Sequence, residues 1–272
     1  MNWGCRAGRR TDSLKLKELM KIIINCDDLG ASLNVNNRIF EMMEQRRVTS
    51  ATLLMNGPAV EDAVERIGKF RECSFGVHLN LTEFSPLTDQ PGLVPLLDEN
   101  GDFNGTGRRS PRKIPLTASI RARVYAEWCE QIERALAQGV PISHIDSHHH
   151  VHTRLSLLPV LHGLRQRFGI RKVRLRHNVS GVAHPMSWLR HARNSAWNFT
   201  LRHYVGATTT DGFASFSTFH ERLQAGLGWQ GTIEVMCHPG GELFAAETEL
   251  LRANWLEKLD KDAQLISYND LA

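Results

Sequence analysis

The spacing of apolar residues along the chain switches repeatedly between a strand period and a helix period. Residues 21–25 are a short β-branched run, followed by a glycine-containing turn and helical spacing over 37–46. Residues 49–55 predict a second strand, closed by Asn56-Gly57-Pro58, and 59–70 predict a helix. A third strand is expected at 74–81, then a long aperiodic stretch over 82–117, dense in Pro, Gly and Asp. Loops of that length inside compact domains are uncommon and usually functional. Beyond it the pattern predicts a helix over 118–138, a strand over 142–146, a helix over 156–168 and a strand over 172–176. Residues 178–217 give no readable period. A helix at 220–227, a strand at 232–237, a helix at 247–259 and a last short strand at 264–267 complete the chain.

Strands alternating with helices imply βαβ units and a parallel sheet. About seven such units favour a closed or slightly irregular (β/α) barrel over an open sheet, in a single α/β domain. The domain is expected to begin near Met20-Lys21, with residues 1–19 a basic, polar and disordered extension. Composition adds little: 42% hydrophobic and 23% charged residues are ordinary for a globular domain. A net charge of +4, spread among both signs, does not suggest nucleic-acid binding. Five separated cysteines without a C-x-x-C pair argue against a disulfide framework and favour a reducing compartment. No apolar run approaches the roughly 20 residues of a membrane span, and no signal-peptide pattern opens the chain. The expectation is a cytoplasmic protein, with a homodimer as the ordinary prior for its assembly.

Four polar clusters fall at or just beyond the C-terminal ends of predicted strands, the edge where parallel α/β folds build their sites. Asn25-Cys26-Asp27-Asp28 follows the first strand; one carboxylate can bind a metal while the other acts as a base, although an Asp-Asp turn that caps a helix explains the pair equally well. His78 alternates with leucines in Gly76-Val77-His78-Leu79-Asn80-Leu81-Thr82, a setting that also suits a hydrogen-bonded core histidine. The segment His144-Ile145-Asp146-Ser147-His148-His149-His150-Val151-His152 packs five histidines and an aspartate into nine residues, which is hard to explain as packing. If it stays extended, His144, Asp146, His148, His150 and His152 share one face. Last, Glu234-Val235-Met236-Cys237-His238-Pro239 places a histidine at a strand end, where a fixed proton donor or acceptor would sit. Together the clusters offer one carboxylate and two imidazoles for a metal with open positions, plus a spare carboxylate and a spare histidine. Amide or ester hydrolysis needs such a set. Arg174 and Arg176, ending the fifth strand, could reach a sugar hydroxyl or a phosphate, or be plain solvated basic residues.

These four clusters, with Val48-Thr49-Ser50-Ala51-Thr52, occur in an order that resembles the YdjC-like carbohydrate deacetylases, and they span most of the chain from Lys21 onward. The His-x-Asp-Ser-His-x-His-Val-His segment is the most specific part of the match. The resemblance implies a TIM-like, imperfect barrel holding one divalent metal ion, Mg2+ or Zn2+, on Asp28, His78 and His148. It implies Asp27 as catalytic base and His238 as the acid that protonates a leaving amine. The implied reaction removes an acetyl group from an N-acetylated sugar, such as an N-acetylglucosamine-containing oligosaccharide or glycoconjugate. Cys26 stands where the family usually has alanine, and residues 178–217 match no family pattern. Substrate contacts are therefore expected from that segment and from 83–117. The alternatives are another metal hydrolase on the same barrel, acting on a phosphoester or cyclic amide, and a glycan- or metal-binding protein without catalysis.

Overall fold

The first strand, β1 (Lys21–Leu29), shows how the fold is built. Alternate residues face opposite sides, so Ile22, Ile24 and Cys26 join the large apolar cluster that also holds the helices' buried faces, while Ile23 packs with Tyr268 and Leu271. On the same inner face as Ile23, Asn25 and Asp27 are buried and polar. The structure is a computed structural model and describes residues 19–89, 91–105 and 110–272. The expected extension over 1–19 lies outside the described residues, apart from Leu19.

The strands that follow are β2 (Ser50–Leu53), β3 (Ser74–Leu79), β4 (Ile142–Ser147), β5 (Lys172–Val173), β6 (Gly212–Ser215), β7 (Thr232–Cys237) and β8 (Gln264–Leu265). They run parallel in the order β5-β4-β3-β2-β1-β7-β6, with β8 paired to the start of β1. Helices α1 (Leu33–Glu44), α2 (Val60–Ile67), α3 (Ala118–Ala137), α4 (Leu158–Phe168), α5 (Trp188–Thr200), α6 (Phe216–Gln224) and α7 (Ala245–Arg252) make the connections. Their starts are set locally: Ser32, Thr117, Ser187 and Ser215 each accept a backbone N–H of the first turn of α1, α3, α5 and α6. α4 ends at Gly169, whose φ of 69° is the left-handed conformation that a helix C-terminus favours.

The result is a single α/β domain with a curled, barrel-like parallel sheet; of the expected closed or irregular (β/α) barrel, the irregular form is seen and full closure is not. Between β5 and β6 there is one isolated bridge, Lys172 to Thr208. Farther along, Asn178 spans the gap by accepting the Phe213 N–H at 2.8 Å and donating to the Asp211 carbonyl at 2.8 Å. Between those two contacts no ladder forms, and Leu175, Arg176, His177 and Phe213 of this seam line a cavity of about 570 Å³.

The inner face of the sheet is polar. Thr52, His78, His144, Asp146 and Glu234 are all buried there with Asn25 and Asp27. At its closed end the His144 ring stacks on Tyr268 at 3.6 Å, and the Tyr268 hydroxyl donates to Glu234 at 2.6 Å. Gly76 is required beside that stack, because a Cβ there would lie 2.7 Å from His144 atoms. None of the described helices is long and apolar enough to cross a membrane.

Candidate active site

Two local departures from regular structure bring the site together. Asp28 has a φ of 66°, unusual for a residue with a side chain, and the register between β1 and β2 shifts between Cys26 and Leu29. This bulge turns the chain, so that consecutive carboxylates Asp27 and Asp28 both reach the same site instead of opposite faces. The second departure follows β4. His149 and His150 adopt φ of 51° and 55°, so the chain leaves the extended conformation after Ser147. The single alternating face expected for His144 through His152 therefore ends at Asp146. His148 instead turns back over the end of β3, while His152 is buried against Ser147 and the Arg174 carbonyl.

Asp28, His78 and His148 each offer a ligand atom within 4.8 Å of the others. Asp28 Oδ1 lies 3.2 Å from His78 Nε2 and 2.7 Å from His148 Nδ1. Those are hydrogen-bond distances, yet the buried Oδ1 has no partner of hydrogen-bond geometry. Three donor atoms that approach one another without pointing at one another are what a shared cation requires, and one carboxylate with two imidazoles is a fitting donor set for it. On the far side of the His78 ring, Nδ1 meets Asp146 Oδ1 at 2.6 Å, and Thr52 donates to Asp146 Oδ2 at 3.1 Å. A carboxylate in that position fixes the ring and its tautomer, leaving Nε2 for the ligand cluster. Glu83 Oε2 lies 3.3 Å from His148 Nε2, giving a second grouping of Glu83, His148 and His149, but the Glu83 side chain is 47% exposed. A third grouping, Asp27, His78 and Asp146, is already neutralised by an arginine.

That arginine is Arg174. It was expected to reach substrate, but it is fully buried and every nitrogen of its guanidinium is held by a carboxylate. Nη1 and Nη2 reach the two oxygens of Asp27 at 2.7 and 2.6 Å, Nη1 also meets Asp146 at 2.6 Å, and Nε donates to Glu234 at 2.7 Å. The corrected placement makes it a positioning residue, since a donor so engaged has nothing left to offer a sugar. Burial alone would raise the Asp27 carboxyl's pKa, but Arg174 and His78 outweigh it and hold Asp27 well below the usual carboxylate range. Arg176, by contrast, lines the cavity.

His238 follows β7, whose register sets Cys26 opposite Cys237 and so brings His238 beside Asp27. Its Nε2 is 3.9 Å from Asp27 Oδ2, its ring stacks on Phe244 at 4.2 Å, and Glu247 sits 3.5 Å from Nδ1. Burial opposes its protonation, but Glu247, Asp27 and Asp28 outweigh that and raise its pKa. Asp27, Asp28, His78, His148 and His238 thus occupy one site. Sequence reasoning did not single out Glu83, Glu247 or Thr52. Only Thr52 carried a signal, as the polar residue alternating with Ser50 on a buried strand.

The sequence profile of the YdjC-like proteins matches residues 21–263. A carbohydrate deacetylase of Halalkalibacterium halodurans is 34% identical over 255 residues, covering 93% of this chain and 98% of the relative. A carbohydrate deacetylase of Geobacillus stearothermophilus is 36% identical over 219 residues, covering 80% and 78%. Among solved structures, an Enterococcus faecalis protein described as a cellobiose-phosphate cleavage protein superposes with a TM-score of 0.72 at 25% identity, covering 93% of this chain and 99% of its own. With the profile matched over most of its length and relatives of this identity, the chain belongs to the YdjC-like protein family.

Proposed function

We propose that the chain is a metal-dependent deacetylase that removes the acetyl group from an N-acetylated sugar and releases acetate. The observation that carries this reading is the convergence of Asp28, His78 and His148 beside an arginine-clamped Asp27, with His238 3.9 Å from that carboxylate. Relatives named carbohydrate deacetylases, matched over most of their length, support the reaction class.

Asp28, His78 and His148 would hold the ion. A divalent cation there would polarise an amide carbonyl and acidify water, which would let even a carboxylate held at low pKa accept the water's proton. Asp27 takes the proton of the attacking water, and Arg174 fixes both its charge and its orientation. His238, whose protonated form Glu247 and the two aspartates favour against its burial, delivers a proton to the amine as the C–N bond breaks. Asp146 holds the His78 ring so that its Nε2 stays on the cluster. Two-metal phosphoester chemistry is less well served, because Asp27 and Asp146 are bound to Arg174 and the other nearby carboxylate, Glu83, is half exposed.

The test is acetate release from N-acetylglucosamine, short chitooligosaccharides and lipid- or nucleotide-linked forms, with and without a chelator. Release from at least one member, abolished by the chelator and restored by Zn2+ or Mg2+, is expected. Absence of release from every member by metal-loaded protein contradicts the reading.

A further inference from the structure

Helix α5 is amphipathic in the opposite sense to an ordinary surface helix, which turns its polar side outward. Its inward side buries Asn194 and Asn198 around Trp197. Both asparagines hold the chain after β5: Asn198 accepts the Arg176 N–H at 2.8 Å, and Asn194 donates to the His177 carbonyl at 2.7 Å. Its outward side carries Trp188, 79% exposed, Leu189, 64% exposed, and Phe199, 63% exposed. At 3.6 residues per turn, Trp188 and Phe199 stand within about 20° of each other around the axis. Exposed Ala192 and Ser195 lie between them, so the four residues form one stripe along the helix. The π-helical turn Leu201–Val205 continues the helix and adds exposed Tyr204.

An exposed apolar stripe of this kind marks an interaction surface. Charge decides what it meets. Between Asp146 and Asp211 the chain has no Asp or Glu and ten Lys or Arg. Helices α4 and α5 both come from that stretch, and α4 packs against the turn that ends α5. Exposed His191 and Arg193 stand on either side of the stripe. Arg202 donates to the Thr209 hydroxyl at 2.7 Å and the Thr210 carbonyl at 2.8 Å, neutral groups that leave its charge uncompensated. A second copy of the chain on this face would set like charges against each other. A bilayer with anionic headgroups suits both features, since aromatic side chains settle at headgroup level and arginines are drawn to the negative surface.

We propose that α5 is a membrane-docking helix that lies along an anionic lipid surface, with Trp188, Leu189 and Phe199 in the headgroup layer. Its 13 residues make about 20 Å of helix, enough to lie on a bilayer and too short to cross one. The same helix lines the seam cavity through Asn194, and the cavity wall includes His149, next to the candidate ligand His148. Docking through α5 therefore holds the mouth of the site close to the lipid surface. The inference rests on this face alone and is independent of the deacetylase reading.

The full chain is sedimented with vesicles of phosphatidylcholine, or of equal parts phosphatidylcholine and phosphatidylglycerol, and compared with Trp188→Ser/Phe199→Ser. Both side chains are exposed, so the variant should keep the wild-type melting temperature. Wild type is expected on the anionic vesicles and not on the neutral ones, with binding that weakens as salt is added. The variant should bind the anionic vesicles more weakly by about tenfold or more. In a second measurement, phosphatidylglycerol with brominated chains should quench the tryptophan fluorescence of wild type. Trp188→Phe keeps an apolar anchor and stays bound, but should be quenched less. Equal binding by wild type and the double variant, or equal quenching in wild type and Trp188→Phe, overturns the docking helix. Failure of wild type to bind anionic vesicles does the same, as does a wild-type dimer that the double variant loses, which gives the face to a second copy.

Discussion

At the scale of single residues, the proposed chemistry turns on Asp27 and the arginine that holds it. Asp27→Asn keeps the shape but removes the proton acceptor, so acetate release should fall by about 10² to 10⁴-fold. Metal content, measured by mass spectrometry of the intact protein, should stay that of wild type, because Asp28, His78 and His148 are untouched. Full activity in that variant would remove Asp27 from the chemistry. Arg174 predicts a different outcome. Its replacement by methionine leaves Asp27, Asp146 and Glu234 buried together without a counter-charge. Chemical denaturation should show a loss of about 3–5 kcal/mol, and a loss below about 1 kcal/mol would contradict the clamp. The convergence of Asp27, Asp28, His78, His148 and His238 was implied by the family resemblance, and their places at or near strand ends give it a physical reason. The role of Arg174 was not. A strand-end arginine reads as a surface group until the inner face of the sheet is known to be lined with acids.

At the scale of elements, the legible parts are those whose burial is one-sided or complete. Strand 232–237 and the helix after 118 stand where their spacing places them, because Ile233, Val235 and Cys237 give the strand one apolar face and Val124, Trp128, Ile132 and Ala135 give the helix an apolar stripe. Residues 178–217 were unreadable for a physical reason. α5 buries Asn194, Trp197 and Asn198 while exposing Trp188 and Leu189, so its inward face has no apolar stripe. β6 is four residues long and offers no alternation to read. The turn at His149 and His150 depends on left-handed backbone that histidines seldom adopt, so an extended segment was the natural expectation. The loop after β3 is tied to α3 in a way spacing does not show. Buried Glu127 accepts the Leu87 and Thr88 N–H groups and the Thr88 hydroxyl, and Gln131 bonds both backbone groups of Asn80. Glu127→Ala should cost about 1–3 kcal/mol and speed amide exchange at Leu87 and Thr88 more than in β1. Unchanged exchange at those amides would show that the loop is held elsewhere.

At the scale of the whole molecule, a polar interior makes stability depend on pH. His144, His152 and His177 are held neutral, by burial first and by the Arg174 charge second. His152 is pushed down to about 3, His177 to about 4, and His144 well below its ordinary value. In the unfolded chain these groups take up protons near pH 6.5, whereas in the fold they resist until far lower pH. Their stabilisation is therefore complete above about pH 6.5 and is lost as pH falls toward 4, by about 1.4 kcal/mol per unit for each group that resists. Melting temperatures should fall between pH 6.5 and 5, where the depressed histidines dominate; a flat profile over that interval contradicts buried neutral histidines. The curled sheet was legible as a parallel α/β fold, but its open seam was not, because closure depends on how β5 and β6 meet rather than on either pattern alone.

The most direct test of the central claim is acetate release as a function of bound metal. Protein stripped by chelation is reloaded stepwise with Zn2+ or Mg2+, and wild type is compared with His78→Ala. Release from the active glycan should rise in proportion to bound ion and level off at about one per chain, as a three-ligand site with open positions implies. His78→Ala should bind little metal and release little acetate. Undiminished release by metal-free protein, or saturation only at two ions per chain, would contradict the single-metal site on Asp28, His78 and His148.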